Sequence, residues 1–524
     1  MLSFGQCGRT PSLHTVAVME RQTRARRLPT GARKPSTRRR LGAGLAALVM
    51  LLLAVPLTTP ATAAPARTVD GATIDRFVRA YLHRTGLPGA EVAVTRGDRV
   101  VRVAGYGHDS AGRSVTARTP MPVASLSKSF TALAVLQLVE QGRVDLDAPV
   151  HRYLPEFRLA DPRGARITVR QLLDQTSGMS DAEFPDLRLA QPSTLPGAVR
   201  RLRSARLDSA PGARFHYHNP NYQVAGRLIE VVSGESYSTY LRRHVFAPLG
   251  MTASRTMLST REMTGLPEGH IRAYGLAISE PEPIWFTGGS HGIVTTATDL
   301  SRWLITQHAG GVGPSGRRIA SAATIRLSHT PQPHASSYAF GWRRQHVPGG
   351  PVEIRHNGEL FTYTAEQILL PESGYGIAVL TNTGLSVEND SAVLADGLVD
   401  LVTGHDPGAR RPGGSYADWV LAGLTVVVLA LGVLGVWRAR RWTARPRRWW
   451  RWALLLPYLA PVVLLAGLPS IVGFVFGGRA GGFVHIAYVW LALVLFFVAA
   501  SLAGLAVPIA RAAWVLRRRR ASAQ

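Results

Sequence analysis

The chain has 524 residues and a formal net charge of +27, from 60 lysines and arginines against 33 acidic residues. Its one cysteine, Cys7, lies near the N-terminus, so the rest of the chain has no disulfide, no thiol nucleophile and no cysteine metal ligand. Residues 1–40 carry +9 and residues 419–524 carry +13, which indicates membrane-topology signals and gives no reason to invoke nucleic acid.

Residues 1–66 have the order of a secretory signal peptide. Basic residues up to position 40 precede an uncharged apolar run at 41–55, and small residues at 61–66 offer cleavage sites. An uncleaved anchor is the alternative, and the arginines at 38–40 also allow a twin-arginine route. Either way, the next domain is expected outside the membrane.

Residues 70–404 are predicted to form one α+β region, an antiparallel sheet flanked by helices with an inserted helical lobe. Helices are predicted at 73–85, 122–142, 167–173, 221–232 and 390–402, and strands at 90–95, 99–104, 338–343, 352–355, 363–370 and 376–381. Because two strands come early and the others late, both ends of the region are expected to close the same sheet.

The segment at 122–142 places Ser125 and Lys128 three residues apart where an apolar helix begins, and Gly142 ends that helix. Residues i and i+3 share a helix face, so the hydroxyl and the amine are expected to meet. Free N–H groups at a helix N-terminus favour the anion that forms when a hydroxyl attacks a carbonyl. The segment therefore predicts a nucleophile, Ser125, and its activator, Lys128.

Composition supports a special role for Lys128. The chain has 58 arginines and two lysines, Lys34 and Lys128. Arginine does not lose its proton in a protein, whereas burial and neighbouring charges can lower the pKa of lysine. The alternative is a serine that caps the helix and a solvated lysine one turn later.

Further polar groups for such a site are Tyr217 and Asn219, in a turn-like segment, and His356 with Gly358 at the end of a predicted strand. A tyrosine can relay the serine proton, and an amide can orient lysine and substrate. Gly358 would let a substrate approach the strand edge, whose N–H could form an oxyanion hole with that of Ser125. The alternatives are a packed aromatic ring, a turn asparagine and a surface histidine.

Residues 405–418 are predicted to link this region to three transmembrane helices within 419–510, followed by a basic cytoplasmic tail at 511–524. The uncharged runs are 419–436, 452–476 and 483–509, each long enough to span a bilayer. Seven arginines separate the first two runs, Arg479 alone lies between the second and third, and Arg517 to Arg520 follow. The positive-inside rule then predicts a multi-pass cell-membrane protein with the region at 70–404 outside the cytoplasm.

Three groups of residues resemble the motifs of the class C β-lactamase and D-alanyl-D-alanine peptidase family of serine hydrolases. They are Ser125-Leu126-Ser127-Lys128, Tyr217-His218-Asn219 and His356-Asn357-Gly358. The resemblance implies an acyl-enzyme on Ser125, Lys128 and Tyr217 as the base system, Asn219 as a positioning group, and an oxyanion hole from the N–H groups of Ser125 and the strand at Glu359. Three positions depart from the family pattern: His356 replaces a common lysine, His218 a serine and Gln175 a frequent histidine.

Two other patterns compete with this interpretation. Residues 288–292 satisfy Gly-x-Ser-x-Gly, the nucleophile elbow of α/β-hydrolases, with Ser290 as nucleophile. The elbow needs a strand before it and a helix directly after it, whereas β-branched residues follow here. His216 and His218 have a spacing that could pair on zinc, but no third ligand follows at a useful spacing.

The sequence therefore predicts a membrane-tethered extracytoplasmic serine hydrolase that forms an acyl-enzyme with an amide or ester and needs no metal or cofactor. A small-molecule or peptide substrate is expected, with D-amino-acid peptides of the cell wall as the leading class and esters as an alternative. Two further alternatives are a sensor that binds β-lactam or wall peptide without turnover and a pseudoenzyme scaffold. The sequence leaves the oligomeric state open.

Overall fold

The computed structural model describes residues 69–387, 389–443, 449–479 and 481–523, so the predicted signal peptide lies outside the described residues. The α-helices are α1 Gly71–Thr85, α2 Ser127–Glu140, α3 Val169–Leu173, α4 Leu195–Arg201, α5 Asn219–Ser233, α6 Tyr237–Leu241, α7 Ala297–His308, α8 Ala322–Ser328, α9 Asp390–Thr403, α10 Gly414–Trp437, α11 Ala439–Thr443, α12 Ala460–Val475, α13 Phe483–Val489 and α14 Leu491–Ala521. The strands are β1 Gly89–Arg96, β2 Arg99–Gly107, β3 Met121–Pro122, β4 Arg255–Thr256, β5 Gly269–Ala273, β6 Leu276–Glu280, β7 Ile293–Thr295, β8 Arg343–His346, β9 Val352–Glu359, β10 Thr364–Leu370 and β11 Tyr375–Thr381.

The main sheet has six strands in the order β2-β1-β11-β10-β9-β8, all antiparallel. Successive side chains of a strand point to opposite faces, so each strand contributes to two cores. On β1, Val92 and Val94 pack with residues of α1 and α9, whereas Ala93 packs with residues of α2 and α7. The predicted α+β class, with helices on both faces of an antiparallel sheet and a helical lobe between β2 and β8, is confirmed.

Helix α2 lies in the same core as Ala93 and is buried along almost its whole length. Phe130 stacks on Trp303 of α7 with ring centroids 3.9 Å apart. Gly142, just beyond the helix end, has φ of 68°, a conformation that glycine adopts without strain. The N-terminal end of α2 is thus held firmly beside the sheet.

The strand predicted at 338–343 is wrong, because β8 begins only at Arg343. Tyr338 to Trp342 form a tight loop in which the Ala339 N–H donates to the Trp342 carbonyl at 2.7 Å. Gly341 has φ of 76°, and a Cβ there would lie 2.6 Å from the Lys128 carbonyl carbon. The loop therefore packs directly against the backbone of Lys128, a contact that its β-like composition did not indicate.

Among the described residues, three C-terminal helical segments are long and apolar enough to cross a membrane: Gly414–Trp437, Trp452–Val475 and Leu491–Ala521. The first begins inside the predicted linker. The third differs from the predicted run at 483–509, because Trp490 has φ of −152° and separates α13 from α14. The Trp490 indole donates to Asp418 at 2.9 Å, and the Tyr488 hydroxyl of α13 donates to the Pro281 carbonyl at 2.8 Å. Helix α13 therefore contacts the hydrolase region.

Candidate active site

Ser125 lies in a 3₁₀ turn, Ala124–Leu126, immediately before α2. Ala124 has φ of 47°, a left-handed conformation that is uncommon for a residue with a side chain and is concentrated at functional sites. The N-cap residues of the 3₁₀ turn and of α2 are Val123 and Leu126, so Ser125 is not in a capping position, and its side chain stays partly exposed. The structure thus places the hydroxyl where another molecule can reach it, which argues against the capping alternative.

Lys128 lies one turn later and is fully buried. Its Nζ is 3.0 Å from Ser125 Oγ and donates to the Ser290 carbonyl at 2.9 Å. Burial lowers the pKa of Lys128 well below its ordinary 10.5, and the positive charge of Arg479 lowers it further. An amine with a lowered pKa gives up its proton more readily, and in its neutral form it can accept a proton from the serine.

Tyr217 presents the face of its ring to the lysine, with Lys128 Nζ 4.8 Å from the ring centroid. Burial raises the pKa of Tyr217 to about 12, against the opposing effects of Arg479 and of a hydrogen bond with Ser125. Asn219 is the first residue of α5, and its Oδ1 is buried without a hydrogen-bond partner among the described residues. Tyr217 therefore lies against Lys128, and Asn219 follows two residues later in the same segment.

Gly358 brings the edge of β9 against the backbone that precedes Ser125. A Cβ on Gly358 would lie 2.2 Å from the Val123 carbonyl oxygen, so no other residue fits without movement. Strand β8 pairs with β9 only as far as Arg355, and the edge of β9 from His356 to Glu359 is not paired by β8. A backbone edge without a pairing strand, next to a nucleophile, is a suitable place for an extended substrate.

His356 is buried, and both of its ring nitrogens are hydrogen-bonded. Its Nδ1 is 2.7 Å from the Asn357 carbonyl, which can only accept, so Nδ1 carries the proton. Its Nε2 then accepts from the Tyr338 hydroxyl at 3.1 Å. Burial lowers the pKa of His356 to about 3, so this position holds a neutral ring. Burial raises the pKa of Glu359, whose Oε1 accepts hydrogen bonds from Asn357 and Asn389.

Two of the departures from the family pattern contact each other. The Gln175 side-chain oxygen accepts the His218 backbone N–H at 3.0 Å, and Gln175 has φ of 65°. The His218 ring nitrogen Nδ1 lies 3.1 Å from Asp181 Oδ1. These contacts fix the segment that carries Tyr217 and Asn219.

The competing sites do not have the geometry that they require. Ser290 is fully buried, and the segment that follows it leads into strand β7 where an elbow needs a helix. Its hydroxyl is 2.6 Å from the adjacent His291 ring. His216 and His218 interact with different carboxylates, those of Asp208 and Asp181.

Sequence reasoning missed three contributors to the site: the Ser290 carbonyl, the Tyr338 hydroxyl and Arg479. The Arg479 guanidinium carbon lies 4.8 Å from the Tyr217 ring centroid, and Nη1 donates to the Tyr217 carbonyl at 3.3 Å. One signal in the sequence pointed to Arg479. It is the only charged residue in a loop predicted to be outside the cytoplasm.

Comparisons with known proteins agree with this fold. Residues 74–399 match the family model described as Beta-lactamase. Protein flp of Staphylococcus aureus is 29% identical over 59% of this chain, which covers 62% of the length of that relative. Penicillin-binding protein 4 of Amycolatopsis lactamdurans is 30% identical over 62% of this chain and 87% of its own length.

A similar solved structure is the octameric penicillin-binding protein homologue from Pyrococcus abyssi. It has a TM-score of 0.56 and 25% identity, over 68% of this chain and 82% of that one. The family model covers more than half of the chain, and the fold agrees with it. The chain therefore belongs to the beta-lactamase family of penicillin-binding-protein-like serine hydrolases.

Proposed function

We propose that this protein is a membrane-tethered extracytoplasmic serine hydrolase that forms an acyl-enzyme on Ser125. The observation that carries the proposal is the 3.0 Å contact between Ser125 Oγ and the Nζ of a fully buried Lys128. A lowered pKa makes a buried lysine more available as a base, and a partly exposed serine beside it is a reachable nucleophile.

The proposed reaction has two halves. Neutral Lys128 accepts the proton of the Ser125 hydroxyl while Oγ bonds to the substrate carbonyl carbon, and the N–H groups of Ser125 and Glu359 stabilise the oxyanion. The carbonyl reforms as the leaving amine or alkoxide departs with a proton from Lys128, relayed by the Tyr217 hydroxyl. Water then repeats the sequence on the ester of Ser125 and releases the acid. Because the pKa of Tyr217 is about 12, its hydroxyl stays protonated and can donate.

The substrate that we propose is a D-amino-acid peptide or a related cell-wall amide or ester. Two features support it: a strand edge suited to an extended substrate, and arginine-rich segments that predict an extracytoplasmic site. The neutral His356 stands where true β-lactamases commonly have a lysine, which favours a peptidase or esterase over a strong β-lactamase.

The direct test is covalent labelling of the full-length protein in detergent with a tagged fluorophosphonate and a tagged penicillin. Label is expected on wild type and Ser290→Ala, and none on Ser125→Ala. Label that survives Ser125→Ala would reject the proposed nucleophile. Turnover of D-alanyl-D-alanine peptides and of activated esters by wild type would then assign the substrate class.

A sensor that is acylated without turnover is the second candidate. The observation that favours it is Arg479, because a loop between membrane helices reaches the site. This candidate predicts a stable penicillin adduct and no turnover of peptide or ester, whereas the hydrolase predicts turnover of a peptide or an ester.

A further inference from the structure

The loop between the second and third apolar helical segments is packed against the hydrolase region. A Cβ on Gly478, which has φ of 89°, would lie 2.4 Å from the Cα and N atoms of Ala182. On the C-terminal side of the loop, the rings of His485 and Tyr488 lie 5.1 and 5.8 Å from that of Phe361. Close packing on both sides of Arg479 fixes where its side chain enters the site.

Arg479 makes two contacts with Tyr217 and one with Asp181, the partner of His218. Its guanidinium lies against the Tyr217 ring, and its Nη1 donates to the Tyr217 carbonyl at 3.3 Å. The same Nη1 is 3.8 Å from Asp181 Oδ2, and the other oxygen of Asp181 pairs with His218. The side chain is only 13% exposed, and its Nε has no hydrogen-bond partner among the described residues. Arg479 therefore holds both the ring and the backbone of Tyr217.

We propose that Arg479 is a positioning residue of the active site, so that the membrane-helix loop is a working part of the hydrolase as well as part of its anchor. The inference rests on the proposed function, because it assigns Arg479 to the alignment of Tyr217 with Ser125 and Lys128. It also agrees with the predicted topology, which puts this loop and the hydrolase region on the same side of the membrane.

The charge of Arg479 gives the inference a readout that packing alone does not. A fixed cation disfavours a second cation nearby, and Arg479 lowers the pKa of Lys128 in addition to burial. Among the described residues, the other titratable or charged groups that interact with Lys128 or Tyr217 are Asp181, Glu359, His291, His356, Arg343, Tyr222 and Tyr338. Removal of the Arg479 charge should raise the pKa of Lys128, so that the base forms at a higher pH.

The experiment compares Arg479→Gln, Arg479→Lys and a control, Arg188→Gln, as full-length proteins in detergent. Arg188 also joins the hydrolase region to the membrane helices, since it donates to the Pro469 carbonyl at 2.7 Å, but it is not among the groups that shift the pKa of Lys128. The rate at which the fluorophosphonate labels Ser125, with loss of fluoride, is measured from pH 5 to 10.

Arg479→Gln is expected to lose about tenfold or more in the rate of labelling by the fluorophosphonate at pH 7. Its acidic limb should move up by about one pH unit. Arg479→Lys should keep the limb near its wild-type position because the charge remains, and Arg188→Gln should match wild type. Unchanged rates in Arg479→Gln would overturn the inference. So would equal losses in Arg479→Gln and Arg479→Lys with the wild-type pH limb, because that result assigns Arg479 to folding alone.

Failure of the proposed function has a different signature, namely a wild-type protein that no probe labels. The docking is then tested by itself with Phe361→Cys and His485→Cys in a Cys7→Ser background. A short bifunctional thiol reagent should link this pair, and should not link Phe361→Cys to an exposed cysteine at Val231→Cys. No link between positions 361 and 485 would overturn the inference whatever the activity.

Discussion

Replacement of Lys128 by methionine should abolish acylation and at the same time stabilise the fold. Methionine is unbranched and fills similar space, so the packing around α2 is retained. The substitution removes the base 3.0 Å from Ser125 Oγ, and loss of a positioned base costs about 10²- to 10⁴-fold in rate. The substitution should nevertheless raise the free energy of unfolding, because Lys128 is buried with a lowered pKa.

The magnitude follows from the proton that folding removes. In the unfolded chain Lys128 has its ordinary pKa of 10.5. Removal of its proton at pH 7.5 therefore costs about 4 kcal/mol. Against this, methionine leaves the buried Ser290 carbonyl without its donor, a loss of about 1–3 kcal/mol. The net expectation is a gain of about 1–3 kcal/mol in the free energy of unfolding at pH 7.5.

The pH dependence supplies the decisive assay. Below pH 10.5 and above the lowered pKa in the fold, unfolding takes up a proton at Lys128, so wild-type stability rises by about 1.4 kcal/mol per pH unit from this group. The methionine variant lacks that contribution, and its advantage should shrink as the pH rises toward 10.5 in thermal unfolding of the full-length protein. Ser125→Ala is the matched control, because it also blocks acylation but retains the lysine and should gain no such pH-dependent advantage.

Two separate results would refute the role of Lys128 as a buried neutral base. Wild-type labelling of Lys128→Met would show that the lysine is not the base. A variant that is less stable than wild type at pH 7.5, by an amount that does not change with pH, would show that Lys128 is charged in the fold.

Two further predictions concern the strand edge and the membrane topology. Gly358→Ala should lose at least tenfold in the acylation rate and about 1–3 kcal/mol of stability, since its Cβ would lie 2.2 Å from the Val123 carbonyl oxygen. Gly423→Ala, where nothing lies within 4 Å, should leave labelling and thermal unfolding unchanged, and equal behaviour of the two variants would contradict the argument. A reporter active only outside the cytoplasm should be active when fused after Asp418 and silent after Thr443, because seven arginines follow the first apolar segment. The reverse pattern would reject the proposed location.

Local pattern was enough to predict most elements of the fold. The helix expected at 73–85 is Gly71–Thr85, and the last two strands lie within one residue of their predicted bounds. Apolar spacing and glycine positions report backbone shape directly, which is why these elements are visible in one sequence. The loop at 338–342 was wrongly predicted as a strand because its aromatic residues are typical of strands. Its shape is set by contact with Lys128, more than 200 positions earlier in the chain.

The serine and lysine could be paired from sequence because they are three residues apart on one turn. The groups that surround them could not be predicted from sequence. Lys128 is held by a carbonyl 162 positions away, and Tyr217 is held by an arginine 262 positions away. Neither contact leaves a periodic trace in the chain. Only composition carried a hint, through an arginine isolated in a glycine-rich loop and a lysine in a chain that otherwise uses arginine.

The buried end of α2 shows why position 128 holds a lysine in a chain that uses arginine almost everywhere else. A position with no exposed surface and a cation nearby can be filled by lysine, because lysine can fold in its neutral form, whereas arginine would remain charged. The same property that makes Lys128 costly to bury makes it a base beside Ser125. Arg479 then has a place for the converse reason, because a cation that keeps its proton can hold Tyr217 and oppose protonation of Lys128 across the pH range in which the serine reacts.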